Sequence, residues 1–202
     1  MSDSSEALLE LLRRCTVRFS GASQGTGFFV APGMILTCAH VVEDMRGKVA
    51  RINIEWDGKP YPATILEYRA APYPDLALLR VELGDHPCVY LDGVIEVRDL
   101  LYTYGYTDDY PRGDSATFEY EGPTGSPPLL KFKEGQTRPG LSGSPLLNQC
   151  TGAVCGMVKL TRGRDNSLGG RAIPYATILA ELDELFGLQQ RFHHAYRGWA
   201  IA

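Results

Sequence analysis

Two serines, Ser142 and Ser144, stand among glycines and prolines in "RPGLSGSP", residues 138–145, just ahead of an apolar run. A serine hydroxyl transfers acyl groups only with help. It needs a base to take its proton, a third group to hold that base in one tautomer, and N–H donors for the developing oxyanion. Histidine suits the base because it titrates near working pH. Of four histidines, His193 and His194 lie in a polar–aromatic tail and His86 in the turn "GDHPC", whereas His40 follows directly on a β-type run in "MILTCAHVV". The orienting acid has to be buried to hold the imidazole. Asp75, in "YPDLALLRV", leads straight into a continuous apolar strand. A buried carboxylate without a donor is costly, and His40 would supply one. Gly140 and Gly143 permit the sharp turn that presents a nucleophile. Ser142 fits that role, the N–H groups of Gly140 and Ser142 are the candidate oxyanion donors, and Ser144 is a small residue that lets the turn pack. Taken singly, His40 also reads as a satisfied histidine at a strand end, and Asp75 as the close of a Tyr-Pro turn.

These residues need a frame. The chain has 202 residues, enough to bury roughly 70% of its unfolded surface in one or two units. Short runs rich in Val, Ile, Tyr, Phe and Thr recur between turn residues over some 160 positions, the pattern of an all-β barrel or sandwich. The clearest are "CTVRFS", "TGFFVA", "MILTC", "VARINIEW", "YPATILEY", "LALLRVE", "LLYTYGY", "ATFEYEG", "LLKFK" and "GAVCGMVKL". About ten strands suit two barrels, divided near "LDGVIEVRD", so that 1–95 carry His40 and Asp75 and 96–202 carry Ser142. An amphipathic helix is expected near the start and another at 175–186, stopped by Gly187, while Phe192, Tyr196 and Trp199 recur at helical spacing in the tail.

A net charge of −4 without a basic stripe argues against nucleic acid, and no apolar run is long enough for a membrane helix. The polar start "MSDSSEALLELLRR" is unlike a secretory signal. Five cysteines, odd in number and without CxxC spacing, argue against a disulfide framework or zinc site and for thiols in a reducing, cytoplasmic compartment. A Cys150–Cys155 bridge is compatible with the spacing. No acidic loop has a calcium pattern, and neither a metal nor another cofactor is expected.

"GTGFFVAPGMILTCAHVV", "PDLALLRV", "RPGLSGSPLLN", "GAVCGMVKL" and "GGRAIP" together resemble the trypsin-like (chymotrypsin-fold) serine endopeptidases. They are most similar to the bacterial branch that includes the high-temperature-requirement proteases and glutamyl endopeptidases. The resemblance covers residues 15–186 and keeps the order His, Asp, Ser. It implies an all-β fold of two six-stranded antiparallel barrels, with a short N-terminal helix and a C-terminal helix. It further implies His40 as general base and acid, Asp75 as its orienter, Ser142 as nucleophile, and Gly140 with Ser142 at the oxyanion hole. The substrate would be a protein or peptide. The substrate pocket would be lined by Gln136 and Thr137, by Lys159, Leu160 and Thr161, and by Arg171.

The sequence also departs from its relatives. Digestive members carry an Asp before the nucleophile that pairs with a freshly cut amine; here Leu141 stands there, so that activation is not supported. Val41 replaces the cysteine that commonly follows the base, and Ser144 replaces a glycine, a change relatives also use. Gln136 at the pocket base removes the acid that would select Lys or Arg. The basic residues Lys159, Arg162, Arg164 and Arg171 either favour an acidic residue before the cut or are solvated loop charges. The resemblance extends to modules joined to sensor or NTPase domains in longer chains. Two rivals stand beside the endopeptidase. One is a protease-like module that grips peptides without cutting them, or is latent. The other is an esterase, which usually travels with a GxSxG elbow on an α/β sheet.

Overall fold

The computed structural model describes residues 3–19, 24–45, 52–107, 109–135, 138–161 and 169–201. The first barrel is built from β1 (Thr16–Phe19), β2 (Gly25–Ala31), β3 (Met34–Thr37), β4 (Ile52–Trp56), β5 (Lys59–Arg69) and β6 (Leu76–Val81). The second is built from β7 (Leu100–Gly105), β8 (Asp114–Thr124), β9 (Leu129–Lys133), β10 (Pro145–Asn148), β11 (Ala153–Thr161) and β12 (Gly170–Pro174). Both are closed and antiparallel, and both close in the same ring order: first, second, third, sixth, fifth, fourth strand. The two six-stranded barrels thus repeat one topology that the sequence does not display as a repeat. Closure leaves no open sheet edge in either unit.

Burial explains the strand patterns. β4 alternates, with Ile52 and Ile54 inward and Asn53 exposed. β2 is buried along its whole length, because its outer face is also covered. The cover comes from the connection between barrels and from a C-terminal helix. Val89 donates its N–H to Phe29 O (3.0 Å), and Val154 donates to Tyr90 O (2.8 Å), so the connecting segment hydrogen-bonds to both barrels. Two strands escaped the sequence reading. β10 (PLLN) has no β-branched or aromatic residue and β12 (GRAIP) a single one, and each carries a terminal proline, so neither shows a strand signal of its own.

The helices are α1 (Asp3–Arg14), α2 (Ala39–Val42), α3 (Tyr175–Glu181), α4 (Leu185–Ala195) and α5 (Gly198–Ile201), with a 3-10 turn at Glu43–Met45. The helix expected over 175–186 is divided. The chain leaves α3 at Leu182 (φ −131°, ψ 70°), and Gly187 lies inside α4 rather than ending it. The break lets Leu182 and Leu185 both enter the core, at 5% and 2% exposure. Burying each such side chain is worth about 1.5–3 kcal/mol, more than a helical glycine costs. α4 packs back on β2 of the first barrel through the buried Gln189. Its Oε1 accepts the Leu91 N–H (3.0 Å), and its Nε2 donates to Val89 O (3.0 Å) and to Val30 O. The tail continues into α5, where Trp199 Nε1 donates to Gly152 O (2.7 Å).

Candidate active site

His40 stands on α2, two residues after the extended Cys38 that leaves β3. Val41 and Val42 are buried on the same short helix, which turns the imidazole outward to 36% exposure. Asp75 immediately precedes β6, and its backbone is left-handed at φ 64°, a sparsely populated region for a residue with a side chain. Its carboxylate is 2% exposed and uses both oxygens on one residue. Oδ1 accepts the His40 backbone N–H at 3.0 Å, and Oδ2 accepts from His40 Nδ1 at 2.9 Å. An ionised carboxylate only accepts, so the proton of the neutral ring sits on Nδ1, which is the tautomer that leaves the Nε2 lone pair available.

A second cation reaches the same acid. Lys159, on β11, is 6% exposed along its side chain; its ammonium donates to Pro72 O and lies 3.9 Å from Asp75 Oδ2. Lys159 was expected to line the substrate pocket. Its ammonium is drawn to the acid, because a buried ammonium requires a counter-charge. A lysine at the end of the apolar run "AVCGMVKL" carried that signal.

The turn bearing Ser142 docks on the first barrel. Thr26 N–H donates to Ser142 O (3.0 Å), and Gly143 N–H donates to Val158 O (2.8 Å). Gly143 has φ 86°, and a Cβ there would meet Thr26 O at 2.1 Å. Gly140 has φ 98°, and its Cβ would meet Tyr106 O at 2.3 Å. Both positions therefore require glycine twice over, for conformation and for space. The Ser142 hydroxyl donates to Lys159 O at 3.2 Å. Among the described residues no hydrogen bond joins it to His40, and neither the Gly140 nor the Ser142 N–H donates to a backbone carbonyl. Ser144 was expected to serve packing. It is fully buried, and its hydroxyl also donates to Leu141 O at 2.6 Å.

Cys38 Sγ lies within 4.8 Å of ligand atoms of His40 and Asp75, a grouping that could in principle hold a metal. The chemistry does not favour one. Burial, and then the Asp75 charge, push the thiol well above its ordinary range, and it donates to Val158 O (3.4 Å). Lys159 already offsets Asp75. All five cysteines are unbridged, so the Cys150–Cys155 pair does not form.

Of the other expected pocket residues, Gln136 and Thr137 lie outside the described residues. Leu160 and Thr161 continue β11, facing Arg171 and Gly170 of β12 across the ladder; their side chains are outside the description. Arg171 is half-buried, and its Nε is enclosed without a hydrogen-bond partner among the described residues.

The sequence profile of the trypsin-like peptidase domain matches residues 25–157. No curated protein matches the chain by sequence. Among solved structures, the inactive form of the Rv3671c protease of M. tuberculosis is similar at 20% identity and TM-score 0.73, covering 90% of this chain and 94% of that one. Its active form gives 20% identity and TM-score 0.70, covering 88% and 83%. The serine endoprotease of Yersinia pestis gives 19% identity and TM-score 0.75, covering 93% and 68%. At these identities the likeness is one of fold, and the fold is chymotrypsin-like.

Proposed function

The chain is a serine endopeptidase of the trypsin-like peptidase domain family, and we propose that it cleaves protein or peptide substrates through Ser142, His40 and Asp75. The observation that carries this assignment is the two-point seat of His40 on the buried Asp75 carboxylate. It supports a fixed ring with Nε2 free as base. Turned from Lys159 O toward Nε2, the Ser142 hydroxyl gives up its proton as Oγ bonds to the scissile carbonyl carbon. The resulting oxyanion is received by the N–H groups of Gly140 and Ser142. The C–N bond then breaks, with Nε2 returning the proton to the leaving amine. Water repeats the sequence on the acyl-enzyme, Nε2 taking its proton and Ser142 Oγ leaving with it. Asp75 holds the tautomer and stabilises the imidazolium.

The residue before the cut is received along β11 and β12, at 159–161 and Arg171; the resemblance adds Gln136 and Thr137 to these. Five unbridged thiols support a cytoplasmic setting, and the resemblance to effector modules supports attachment to sensor or NTPase domains. One observation favours a second reading, a latent or peptide-gripping module: the Ser142 hydroxyl rests on Lys159 O rather than on His40.

Labelling by a fluorophosphonate probe separates the two. Wild type labels and Ser142→Ala does not; labelling that persists in Ser142→Ala removes the nucleophile assignment, and unlabelled folded wild type favours the latent module. In a peptide library Arg171→Ala shifts the preference before the cut, and an unchanged preference excludes Arg171 from the pocket.

A further inference from the structure

Leu141, next to the nucleophile, is fully buried and brings no polar side chain to hold its turn. Yet three successive carbonyls of that turn are pinned. Gly140 O accepts the Thr26 hydroxyl at 2.9 Å. Leu141 O accepts the Ser144 hydroxyl at 2.6 Å and the Ser144 N–H at 3.0 Å. Ser142 O accepts the Thr26 N–H at 3.0 Å. We propose that two buried hydroxyls, Thr26 from the first barrel and Ser144 from the second, are the positioning residues of the oxyanion site. This rests on the reading of Ser142 as nucleophile.

The physical step is the rigidity of the peptide unit. In a planar trans peptide the C=O and N–H point in opposite directions. Holding Leu141 O toward Ser144 therefore aims the Ser142 N–H away from Ser144, on the other side of the turn. The Gly140–Leu141 peptide is held in the same way through Gly140 O. The Gly140 N–H belongs to the preceding peptide, which is joined to this one through the φ and ψ of Gly140, with φ at the 98° that glycine tolerates.

The hydroxyls are themselves committed. Thr26 Oγ accepts the Tyr106 N–H (2.9 Å), which directs its single proton to Gly140 O. The Thr26 carbonyl accepts the Thr37 hydroxyl (2.7 Å). Thr103 Oγ lies 2.7 Å from Pro145 O and 2.9 Å from Ser144 Oγ, and the Ser144 hydroxyl donates to the nearer Leu141 O at 2.6 Å. Thr26, Thr37, Thr103 and Ser144 are all fully buried. β7 closes over them at Gly105, where a Cβ would stand 2.6 Å from Thr26 Oγ and 3.2 Å from the Ser144 Cβ. A buried carbonyl that loses its hydroxyl partner here is left unsatisfied in the interior. The oxyanion donors are thereby set before substrate arrives, by hydroxyls and not by a carboxylate.

The test uses the full chain with p-nitrophenyl acetate, which requires no specificity pocket, and with phenylboronic acid, which forms a tetrahedral adduct on an active serine. Ser144→Ala and Thr26→Val each lower kcat by about ten- to a hundredfold, leave KM near the wild-type value, and weaken the boronate by the same factor as kcat. Thr26→Ser, which keeps the hydroxyl, recovers most of the loss. If Ser144→Ala and Thr26→Val fold and retain wild-type kcat and boronate affinity while Ser142→Ala is inert, the proposal fails and the nucleophile assignment stands. A loss expressed in KM or in thermal stability alone also overturns it, since a purely structural role would give that. Turnover that survives Ser142→Ala, or wild type inert to both reagents, overturns the underlying reading instead. Should Thr26→Val not fold, Ser144→Ala and Thr26→Ser decide the question.

Discussion

Asp75 is held between two partners of different kinds, the imidazole that it orients and the ammonium of Lys159. Removing one member of a buried pair leaves the other charge without compensation. Lys159→Met, close in length and without charge, is expected to lower stability by about 3 kcal/mol and to depress turnover, because Pro72 O loses its donor and Asp75 a neighbouring counter-charge. Urea unfolding of Lys159→Met, Asp75→Asn and the double variant measures the coupling, with the double variant losing less than the two singles together. Stability of Lys159→Met equal to wild type would show that the ammonium contributes nothing to holding the acid. At this scale the sequence was partly legible. His40 and Asp75 could be picked out because each stood beside a strand in a way that a merely solvated residue seldom does, and the structure joins them at 2.9 Å. Thr26 and Ser144 could not, since a hydroxyl in a β-run or a turn looks the same whether it faces water or a carbonyl.

Among the elements, strands whose own residues favour β structure were readable, down to four-residue β1 and β3, while those fixed by their neighbours were not. β10 and β12 exist because β11 and β7 or β9 offer them a ladder on each side, and nothing within "PLLN" or "GRAIP" declares it. The division of α3 from α4 has the same origin, since the break at Leu182 is decided by where the first barrel needs Leu185 and Gln189. Gln189 makes this concrete. Its amide satisfies three backbone groups, at Val30, Val89 and Leu91, that the strands and connecting segment leave open. Gln189→Leu keeps the bulk and strands Val30 O and the Leu91 N–H in the interior, Val89 O keeping His193 Nε2, and each unsatisfied group costs about 1–3 kcal/mol. The expected result is a loss of about 2–4 kcal/mol in urea unfolding, with faster amide exchange at Leu91 than at β6. Exchange at Leu91 unchanged from wild type would mean that α4 is not what closes this face.

The molecule as a whole is joined along the segment between its barrels, and two histidines bind there in their neutral forms. His86 Nε2 accepts the Gly33 N–H (2.9 Å), Nδ1 donates to Pro87 O (3.0 Å), and the ring stacks on Phe29 with centroids 3.7 Å apart. Protonation would set a second N–H against that of Gly33. His193 donates from Nε2 to Val89 O (2.9 Å). Burial holds both below the ordinary histidine value of 6.5. The unfolded chain then binds more protons than the folded one under mildly acid conditions. The stabilisation is complete above pH 6.5 and is lost as pH falls below 6.5 through the lower folded values. For His86 the loss at one pH unit below 6.5 is at most about 1.4 kcal/mol. Urea unfolding at pH 7.5 and 5.5 should show the wild type weaker at the acid end, and His86→Phe, which keeps a ring against Phe29, should show a smaller difference between the two. A variant that weakens as steeply as wild type would remove His86 from the account and leave the acid sensitivity to other groups. A smaller difference would mean that the junction between the barrels depends on one uncharged imidazole, whose acceptor nitrogen holds the Gly33 turn to the connecting segment.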